Sequence, residues 1–182
     1  MTARTHQRAG LLCGLLTQQL LVGEFYSDSN LTSKLFVIGI FCLSTTIGSL
    51  LPDIDKPSSQ IGSFFPFSSR LIARNFKHRT LTHSLLSIYF FIFLLSLAPT
   101  IEVGSEFFTI TVLGLMIGHI SHILLDLLTI QGVCLFYPIK KKISIANFKT
   151  GTLSEKVINH LLRFSTAGYL LYTAYQFTNS YS

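Results

Sequence analysis

The sequence predicts an all-α fold: a polytopic bundle of about five membrane helices, formed by a single domain over residues 1–182, with a polar site at its cytoplasmic face. Two observations lead to this prediction. Charged residues make up only 12% of the chain, whereas soluble domains carry about 25%. The apolar residues also fall into long runs with few charges, and a helix needs roughly 17–25 such residues to cross about 30 Å of hydrocarbon.

The first apolar segment covers residues 11–23 and follows a short stretch that contains His6. A helix rises about 1.5 Å per residue, so this segment measures only about 20 Å. Two interpretations remain open: a helix over residues 9–23 that just spans the membrane, and a helix that is half-buried in it. A polar loop is predicted over residues 24–34.

The second helix is predicted over residues 35–51. It should end near Leu51, because the residue before a proline is disfavoured in the α region. Residues 52–57 are therefore predicted to be extended or turned. Residues 58–77 are rich in serine, phenylalanine and cations, and we expect them to form a loop.

The apolar run over residues 84–101 predicts a third helix that ends near Ala98. Thr80 or Thr82 is the expected capping residue, since a hydroxyl can accept a hydrogen bond from the first turn. A short acidic loop over residues 99–106 follows. The remaining predictions are a helix over residues 107–129, breaks at Gly132 and Pro138, and a C-terminal helix over residues 159–178 with a short polar tail.

The loop cations predict the orientation. With these helix boundaries, Lys34 is the one cation on one side of the membrane, and all other lysines and arginines fall on the opposite side. The positive-inside rule makes that second side cytoplasmic. The sequence thus predicts a multi-pass protein with a cytoplasmic N-terminus, whose basic loops contact membrane lipids rather than nucleic acid.

Seven ionisable residues then gather at one membrane depth. They lie at cytoplasmic helix ends or in cytoplasmic loops: His6, Asp53, Asp55, His78, His83, His122 and Asp126. Ionisable groups at membrane depth are rare and usually functional, because leaving them unpaired in hydrocarbon is costly. The spacing i, i+4 places His122 and Asp126 on one helix face, and this spacing lets two side chains hold one ion.

Mixed imidazole and carboxylate donors favour Zn²⁺, Mn²⁺ or Fe²⁺. We expect metal binding by His6, Asp53, His83, His122 and Asp126. His6 is also a candidate ligand of a second ion, as are Asp55 and His78, which are alternatively acid–base groups. Arg79 is the expected binder of an anionic substrate such as a phosphoester.

Structural interpretations of the same residues remain open. Asp53 and Asp55 can cap a helix end, and His122 with Asp126 can form a hydrogen-bonded pair without metal. His119 is either a ligand or a buried polar residue, and it ranks below His122. His160 is interpreted as structural. The three cysteines lack a CxxC spacing and are predicted to be free and apolar in role.

Several short motifs carry a family resemblance. They are Thr5-His6 with Gly10, Leu51-Pro52-Asp53-Ile54-Asp55, His78-Arg79 with Thr82-His83-Ser84, Ser121-His122 with Asp126, and Leu135-Phe136-Tyr137-Pro138. Together they resemble the YdjM-type, LexA-regulated membrane-bound metal-dependent hydrolases, over a core of residues 1–140. The resemblance implies a bacterial inner-membrane protein of the SOS response that hydrolyses its substrate with a divalent metal.

Three functions are therefore considered. The first is a metal-dependent hydrolase that acts on a phosphoester or lipid-linked substrate at the cytoplasmic face of the inner membrane. The second is a metal-binding membrane transporter, which should carry polar residues through the bilayer rather than at one face. The third is a non-catalytic envelope or stress-response membrane protein. Substrate, metal identity and oligomeric state stay open at this point.

Overall fold

The computed structural model describes residues 1–25, 29–101 and 103–180, and within these ranges it contains helices and no strands. The α-helices are α1 (Ala3–Phe25), α2 (Leu31–Gly48), α3 (Gln60–Phe64), α4 (Pro66–Asn75), α5 (Leu85–Ser96), α6 (Ser105–Leu127) and α7 (Leu153–Ser180). Short 3₁₀ helices cover Leu51–Asp55, Leu81–His83 and Ala98–Thr100. The predicted all-α class is confirmed.

Helices α1, α2 and α6 form the centre of the bundle. Helix α6 packs against both α1 and α2, while α5 contacts α6 and α7 contacts α1. One apolar cluster joins α2 to α6 through Val37, Phe41 and Ile110. A second cluster contains Ile123 and Leu127 and lies near the end of α6. The end of α6 is thereby fixed against the chain that follows it.

Glycines let α2 and α6 approach closely. A Cβ added at Gly118 of α6 would collide with the carbonyl oxygen of Thr45, and one added at Gly48 of α2 would collide with the backbone of Leu115. Small residues permit this kind of backbone approach between membrane helices. The approach brings the end of α2 next to His122, whose Nδ1 lies 2.7 Å from the carbonyl oxygen of Ser49.

Replacing Gly118 with valine is expected to separate α2 from α6. Overpacking costs about 1–3 kcal/mol and more where backbone must move, so we expect a loss of at least about 3 kcal/mol in the free energy of unfolding. Gly39→Val is the matched control, since a Cβ there meets nothing within 4 Å. Thermal unfolding in detergent micelles measures both variants, and equal melting temperatures would contradict the packing described here.

Apolar side chains cover the outside of the bundle. Phe36, Leu43, Phe90 and Leu124 are each more than half exposed, an amount of exposed apolar surface that indicates contact with a partner or a membrane. Two segments are long and apolar enough to cross a bilayer, Leu31–Asp55 and Ser105–Leu127, while the apolar segment Leu85–Thr100 is shorter. The number of five crossings and the orientation of the N-terminus remain predictions.

Helix boundaries near the N-terminus differ from those predicted. Helix α1 begins at Ala3, so His6 is part of the helix rather than of a preceding arm. The predicted loop over residues 24–34 is too long, because α1 continues to Phe25 and α2 begins at Leu31. The side chain of Asn30 caps α2 by accepting a hydrogen bond from the Ser33 amide at 2.8 Å. Residues 26–28 of that loop lie outside the described residues.

The loop predicted over residues 58–77 was wrong, and the extended or turned segment predicted over residues 52–57 is found only at Lys56 and Pro57. Pro52 stands in the first turn of the 3₁₀ helix Leu51–Asp55, because the fixed φ of proline suits the start of a helix. Residues 60–75 form α3 and α4 rather than a loop. The signals were present in the sequence: Ser59 caps α3 through its side chain, and Pro66 opens α4.

The prediction that Thr80 or Thr82 caps the third long helix was also wrong. The residue at that position is Ser84, and its side chain forms no capping bond. The hydroxyl of Thr80 donates instead to the carbonyl oxygen of Lys77, and that of Thr82 to Asp55. The consequence is that Thr82 belongs to the polar site.

The later boundaries shift by a few residues. Helix α5 ends at Ser96 and is followed by the 3₁₀ helix Ala98–Thr100. The acidic loop predicted over residues 99–106 is therefore shorter than expected, because the 3₁₀ helix covers its start and α6 covers its end. Residue 102 of this loop lies outside the described residues. Helix α6 spans Ser105–Leu127. The C-terminal helix begins at Leu153 rather than 159. Of the predicted polar tail, residues 181–182 fall beyond the described part of the chain.

Candidate metal centre

All eight residues predicted to form the site lie at one end of the bundle. Helix α1 supplies His6, and the 3₁₀ helix after α2 supplies the two aspartates. The segment between α4 and α5 supplies His78, Arg79 and His83. Helix α6 supplies His122 and Asp126. Four parts of the chain that are distant in sequence therefore meet in one cluster.

Two imidazoles and two carboxylates form a ring of donor atoms. The Nε2 atom of His83 lies 3.8 Å from Oδ1 of Asp53 and 3.7 Å from Oδ2 of Asp126. The Nε2 atom of His122 lies at the same distances from the same two oxygens. Four tetrahedral donors bound at about 2.1 Å are about 3.4 Å apart, so the ring is slightly wider than a zinc site and close to its geometry.

The imidazole Nε2 atoms that face the ring lack hydrogen-bond partners. Within the described residues, Nε2 of His83, Nε2 of His122 and both ring nitrogens of His6 are buried and unpaired. Buried polar atoms are nearly always hydrogen-bonded, and each exception needs an explanation such as an ion. A divalent cation between the imidazoles and the carboxylates supplies that explanation, so the residues fit a metal.

Hydrogen bonds on the outer side fix the tautomers. Nδ1 of His122 donates to the carbonyl oxygen of Ser49 at 2.7 Å. The hydroxyl of Thr82 donates to Asp55 at 2.7 Å, so its oxygen is left to accept from Nδ1 of His83 at 3.0 Å. Both rings therefore present the Nε2 lone pair to the centre, as metal-binding histidines do when their other nitrogen is held.

His6 extends the site on one side. Its ring stacks on that of His122 with the centroids 3.6 Å apart, and its Nε2 lies 3.5 Å from Oδ1 of Asp126. His6, His122 and Asp126 offer donor atoms within 4.8 Å of one another, and so do Asp53, His78 and His83. Two adjacent groups of three donors suit either one ion with supporting partners or two ions.

Asp55 holds the surrounding loop rather than facing the centre. Its oxygens bond Nδ1 of His78 at 2.6 Å, the Arg79 amide at 3.1 Å and the Thr82 hydroxyl at 2.7 Å. Asp55 is buried, and these contacts orient His78 and His83. The 3₁₀ helix and the segment before α5 are thereby joined.

Arg79 lies inside the site and not at its mouth. Its guanidinium is buried and pairs with Oδ2 of Asp126 at 2.8 Å and with the Thr129 hydroxyl at 3.0 Å. Its backbone has a φ of 66°, which non-glycine residues seldom adopt. The side chain that the sequence predicts to bind substrate thus balances the charge of a predicted metal ligand.

The charge state of His83 suits metal binding. Burial, and next the proximity of His122, hold the pKa of His83 well below its usual 6.5. The ring is therefore neutral at neutral pH, and a neutral imidazole is the form that binds a metal.

The other histidines and the cysteines lie apart from the ring. His119 is buried, with its Nε2 2.8 Å from the Ser87 hydroxyl and its ring against Phe91. The ring of His160 stacks near Phe164. Cys13, Cys42 and Cys134 are free thiols. His119 belongs to neither group of candidate ligands.

Sequence reasoning missed several supporting groups: the ammonium of Met1, which donates to Oδ1 of Asp126 at 2.6 Å, the carbonyl of Ser49, the hydroxyls of Thr82 and Thr129, and the carboxylate of Glu155. Glu155 lies in the first turn of α7 and accepts hydrogen bonds from the Thr5 hydroxyl at 2.9 Å and the Gly151 amide at 2.7 Å. Thr5 precedes His6, so Glu155 fixes the turn that carries this candidate ligand. A single acid near a helix start gave no signal of this role.

Glu155→Gln is expected to show a pH-dependent loss of stability. Burial raises the pKa of Glu155, but hydrogen bonds from Thr2, Gly151 and Thr5 outweigh it and lower the pKa from 4.5 to about 2. A lowered pKa means stabilisation that is complete above pH 4.5 and is lost as pH falls toward 2. Thermal unfolding should give a constant difference from wild type above pH 4.5 and a shrinking difference below it. A difference that does not vary with pH would contradict this role of the carboxylate.

A helical bundle with an apolar exterior and a buried histidine–aspartate cluster at one end defines a helical membrane protein with a candidate metal centre. Residues 1–181 match the family model described as "YdjM inner membrane protein", and the chain belongs to this family. The resemblance seen in the motifs is confirmed, and the family description makes the inner membrane the location of the chain.

Curated relatives agree with this assignment. The chain is 35% identical to protein YvsG of Bacillus subtilis (strain 168) over 121 residues, which are 65% of this chain and 71% of that protein. It is 36% identical over 121 residues to the inner membrane protein YdjM of Escherichia coli (strain K12) and to that of Shigella flexneri. That alignment covers 66% of this chain and 58% of each YdjM protein. No solved structure matches the chain.

Proposed function

We propose that this protein is a membrane-bound metal-dependent hydrolase that acts on a phosphoester or lipid-linked substrate at the cytoplasmic face of the inner membrane. The observation that carries the proposal is the ring of the half-buried Asp53 and the buried His83, His122 and Asp126, in which the imidazole Nε2 atoms face two carboxylates and lack other partners. The donors lie at one end of the helices, which favours a catalytic site over a transport route through the bilayer.

The residues of the ring would hold the ion, with His6 beside them. Nitrogen and carboxylate donors favour Zn²⁺, Mn²⁺ or Fe²⁺ over Ca²⁺. The chemistry that such an ion supplies is activation of a water molecule as a nucleophile. Asp126 pairs with a cation on each oxygen, Arg79 on Oδ2 and the Met1 ammonium on Oδ1, and it also contacts the imidazoles.

His78 is the proposed acid–base group. Its Nδ1 bonds Asp55 at 2.6 Å, and its side chain is 38% exposed. A buried carboxylate on one ring nitrogen orients the ring, while the other nitrogen is left to exchange a proton with substrate. Asp55 is thus a positioning residue for His78.

An apolar cavity beside the site supports a lipid-linked substrate. It measures about 490 Å³, and Leu51, Ile54, Leu86 and Phe90 are among its lining residues. Leu51 and Ile54 belong to the same 3₁₀ helix as Asp53 and Asp55. An acyl or isoprenoid chain in this cavity would have its polar end next to the candidate ligands.

The test uses purified protein in lipid nanodiscs, stripped with a chelator and reloaded with Zn²⁺, Mn²⁺ or Fe²⁺. Phosphatidic acid and a chromogenic phosphoester serve as substrates. We expect metal-dependent turnover that falls by about 10²-fold or more in His78→Gln, the usual contribution of an acid–base group, with bound metal unchanged. Glu106→Gln, at the far end of α6, is the control. Bound metal without turnover on either substrate would count against the proposal.

A further inference from the structure

A basic cavity opens on the exposed side of the candidate metal centre. It has a volume of about 400 Å³, and its described lining includes three lysines and no acidic residue. The lining residues that matter here are Phe76, Lys77, His78, Tyr137, Lys140 and Lys142. Two separate segments, before α5 and after α6, supply the lysines.

His78 connects this cavity to the metal centre. It lines the cavity, and its ring centroid lies 5.3 Å from that of His83. A ring nitrogen of His78 is within 4.8 Å of donor atoms of Asp53 and His83. The side chains of His78 and Asp53 are 38% and 18% exposed, whereas those of His6, His83 and Asp126 are buried. A molecule in the cavity therefore meets the accessible edge of the cluster.

The charge of the cavity selects an anion. Lysine ammonium groups bind phosphate as point charges, and all three lysines here are exposed. Arg79 does not supply this function, because its guanidinium is buried against Asp126. Phe76 and Tyr137 contact edge to face, with centroids 6.3 Å apart, and form an apolar wall. Three lysines beside an apolar wall suit a phosphate group that is attached to a less polar moiety.

We propose that the cavity lined by Lys77, Lys140 and Lys142 binds the phosphate group of the substrate and holds it against His78. This inference rests on the proposed hydrolase function and deepens it, because it specifies an anionic phosphate as the recognised group. The phosphate can belong to a lipid headgroup or to a soluble molecule. Lys141 belongs to the same basic run but is not among the residues that line this cavity. It is therefore the control that separates specific binding from general attraction to an anionic surface.

Lysine acetylation read by mass spectrometry tests binding without requiring turnover. The full-length, metal-loaded protein in phosphatidylcholine nanodiscs is treated with an acetylating reagent alone, with inorganic phosphate, or with phosphatidic acid in the disc. We expect several-fold slower acetylation of Lys77, Lys140 and Lys142, and an unchanged rate at Lys141. Protection by phosphatidic acid alone assigns the site to a lipid headgroup, and protection by both probes assigns it to phosphate in general.

Kinetics of the matched variants complete the test. A charge-assisted hydrogen bond contributes enough to change binding about tenfold, so Lys77→Met and Lys142→Met should each raise KM about tenfold with little change in kcat. Lys141→Met should match wild type. Protection of the three lysines without turnover would support phosphate binding in the cavity and contradict the proposed hydrolase function. Turnover with unchanged KM in the variants, or equal protection of Lys141, would overturn the cavity proposal.

Discussion

Asp126→Asn is expected to abolish metal binding. Oδ2 of Asp126 lies 3.7 Å from Nε2 of both His83 and His122, and Oδ1 lies 3.5 Å from Nε2 of His6. The substitution keeps the shape of the side chain and removes the negative charge that His6, His83 and His122 share. Loss of an outer-sphere partner already weakens metal binding about 10–100-fold, so loss of this ligand should weaken it by at least about 100-fold. Metal content per chain, measured by mass spectrometry after dialysis, should fall from about one or two equivalents to near zero.

Controls separate metal loss from unfolding. Asp126 also pairs with the buried Arg79 and with the buried Met1 ammonium, so the variant has an additional reason to be unstable. Asp53→Asn avoids this problem, since the ion-pair contacts of Asp53 are with His83 and His122, and it should lose metal while keeping its melting temperature. Glu106→Gln on α6 should keep both its metal content and its melting temperature. Full metal content in the Asp53 and Asp126 variants would contradict the proposed ring.

Arg79→Met is expected to destabilise the metal-free protein strongly. It removes the guanidinium that lies 2.8 Å from Oδ2 of the buried Asp126, while the Met1 ammonium stays 2.6 Å from Oδ1. Removing one partner of a buried ion pair costs about 3–5 kcal/mol, and the remaining ammonium places the expected loss at the lower end of that range. Methionine also carries a Cβ, so the strain of the φ of 66° stays the same. Added metal should restore part of the lost stability, because a bound cation replaces the guanidinium next to Asp126. Thermal unfolding with and without metal measures this difference.

The same variant distinguishes two roles of Arg79. If the guanidinium acts as an internal counter-ion, Arg79→Met lowers the melting temperature more without metal than with it. If it instead binds the substrate, stability stays constant and KM rises. Arg74→Met, at an exposed position of α4, is the control and should change the free energy of unfolding by no more than about 1 kcal/mol.

The composition of the site could be predicted because ionisable residues inside or beside apolar runs are costly unless they are paired or functional. His122 and Asp126 interrupt a membrane helix at a spacing of one turn, and this alone indicates a shared face. Asp53 and His83 flank other apolar runs, so a common end of the bundle follows from the membrane pattern. The structure brings these residues to within a few ångströms of each other.

The roles within the site could not be predicted in the same way. Whether Arg79 faces solvent or Asp126 depends on a backbone turn with positive φ, and the sequence Arg79-Thr80 carries no glycine or asparagine to signal it. The bond from His122 to the Ser49 carbonyl depends on the close packing of α2 and α6. The contact that orients a ligand is therefore a product of packing and leaves no local motif.

The loop predicted in place of the short helices α3 and α4 was wrong for a different reason. Residues 60–75 carry too few apolar residues for a membrane helix, and their serines and cations gave the pattern of a loop. Their capping signals at Ser59 and Pro66 were sufficient to indicate helix starts. The apolar runs dominated the interpretation because a membrane helix gives a stronger signal than an amphipathic helix of a few turns.

The central claim is that imidazole and carboxylate side chains from four segments bind one divalent centre. X-ray absorption spectroscopy of the zinc-loaded protein tests it most directly. The account predicts a first coordination sphere of nitrogen and oxygen at about 2.0–2.2 Å, with the outer scattering of at least two imidazoles, and loss of that scattering in the double variant His83→Gln/His122→Gln. A zinc environment made of oxygen or sulfur alone, or one that the double variant leaves unchanged, would contradict it.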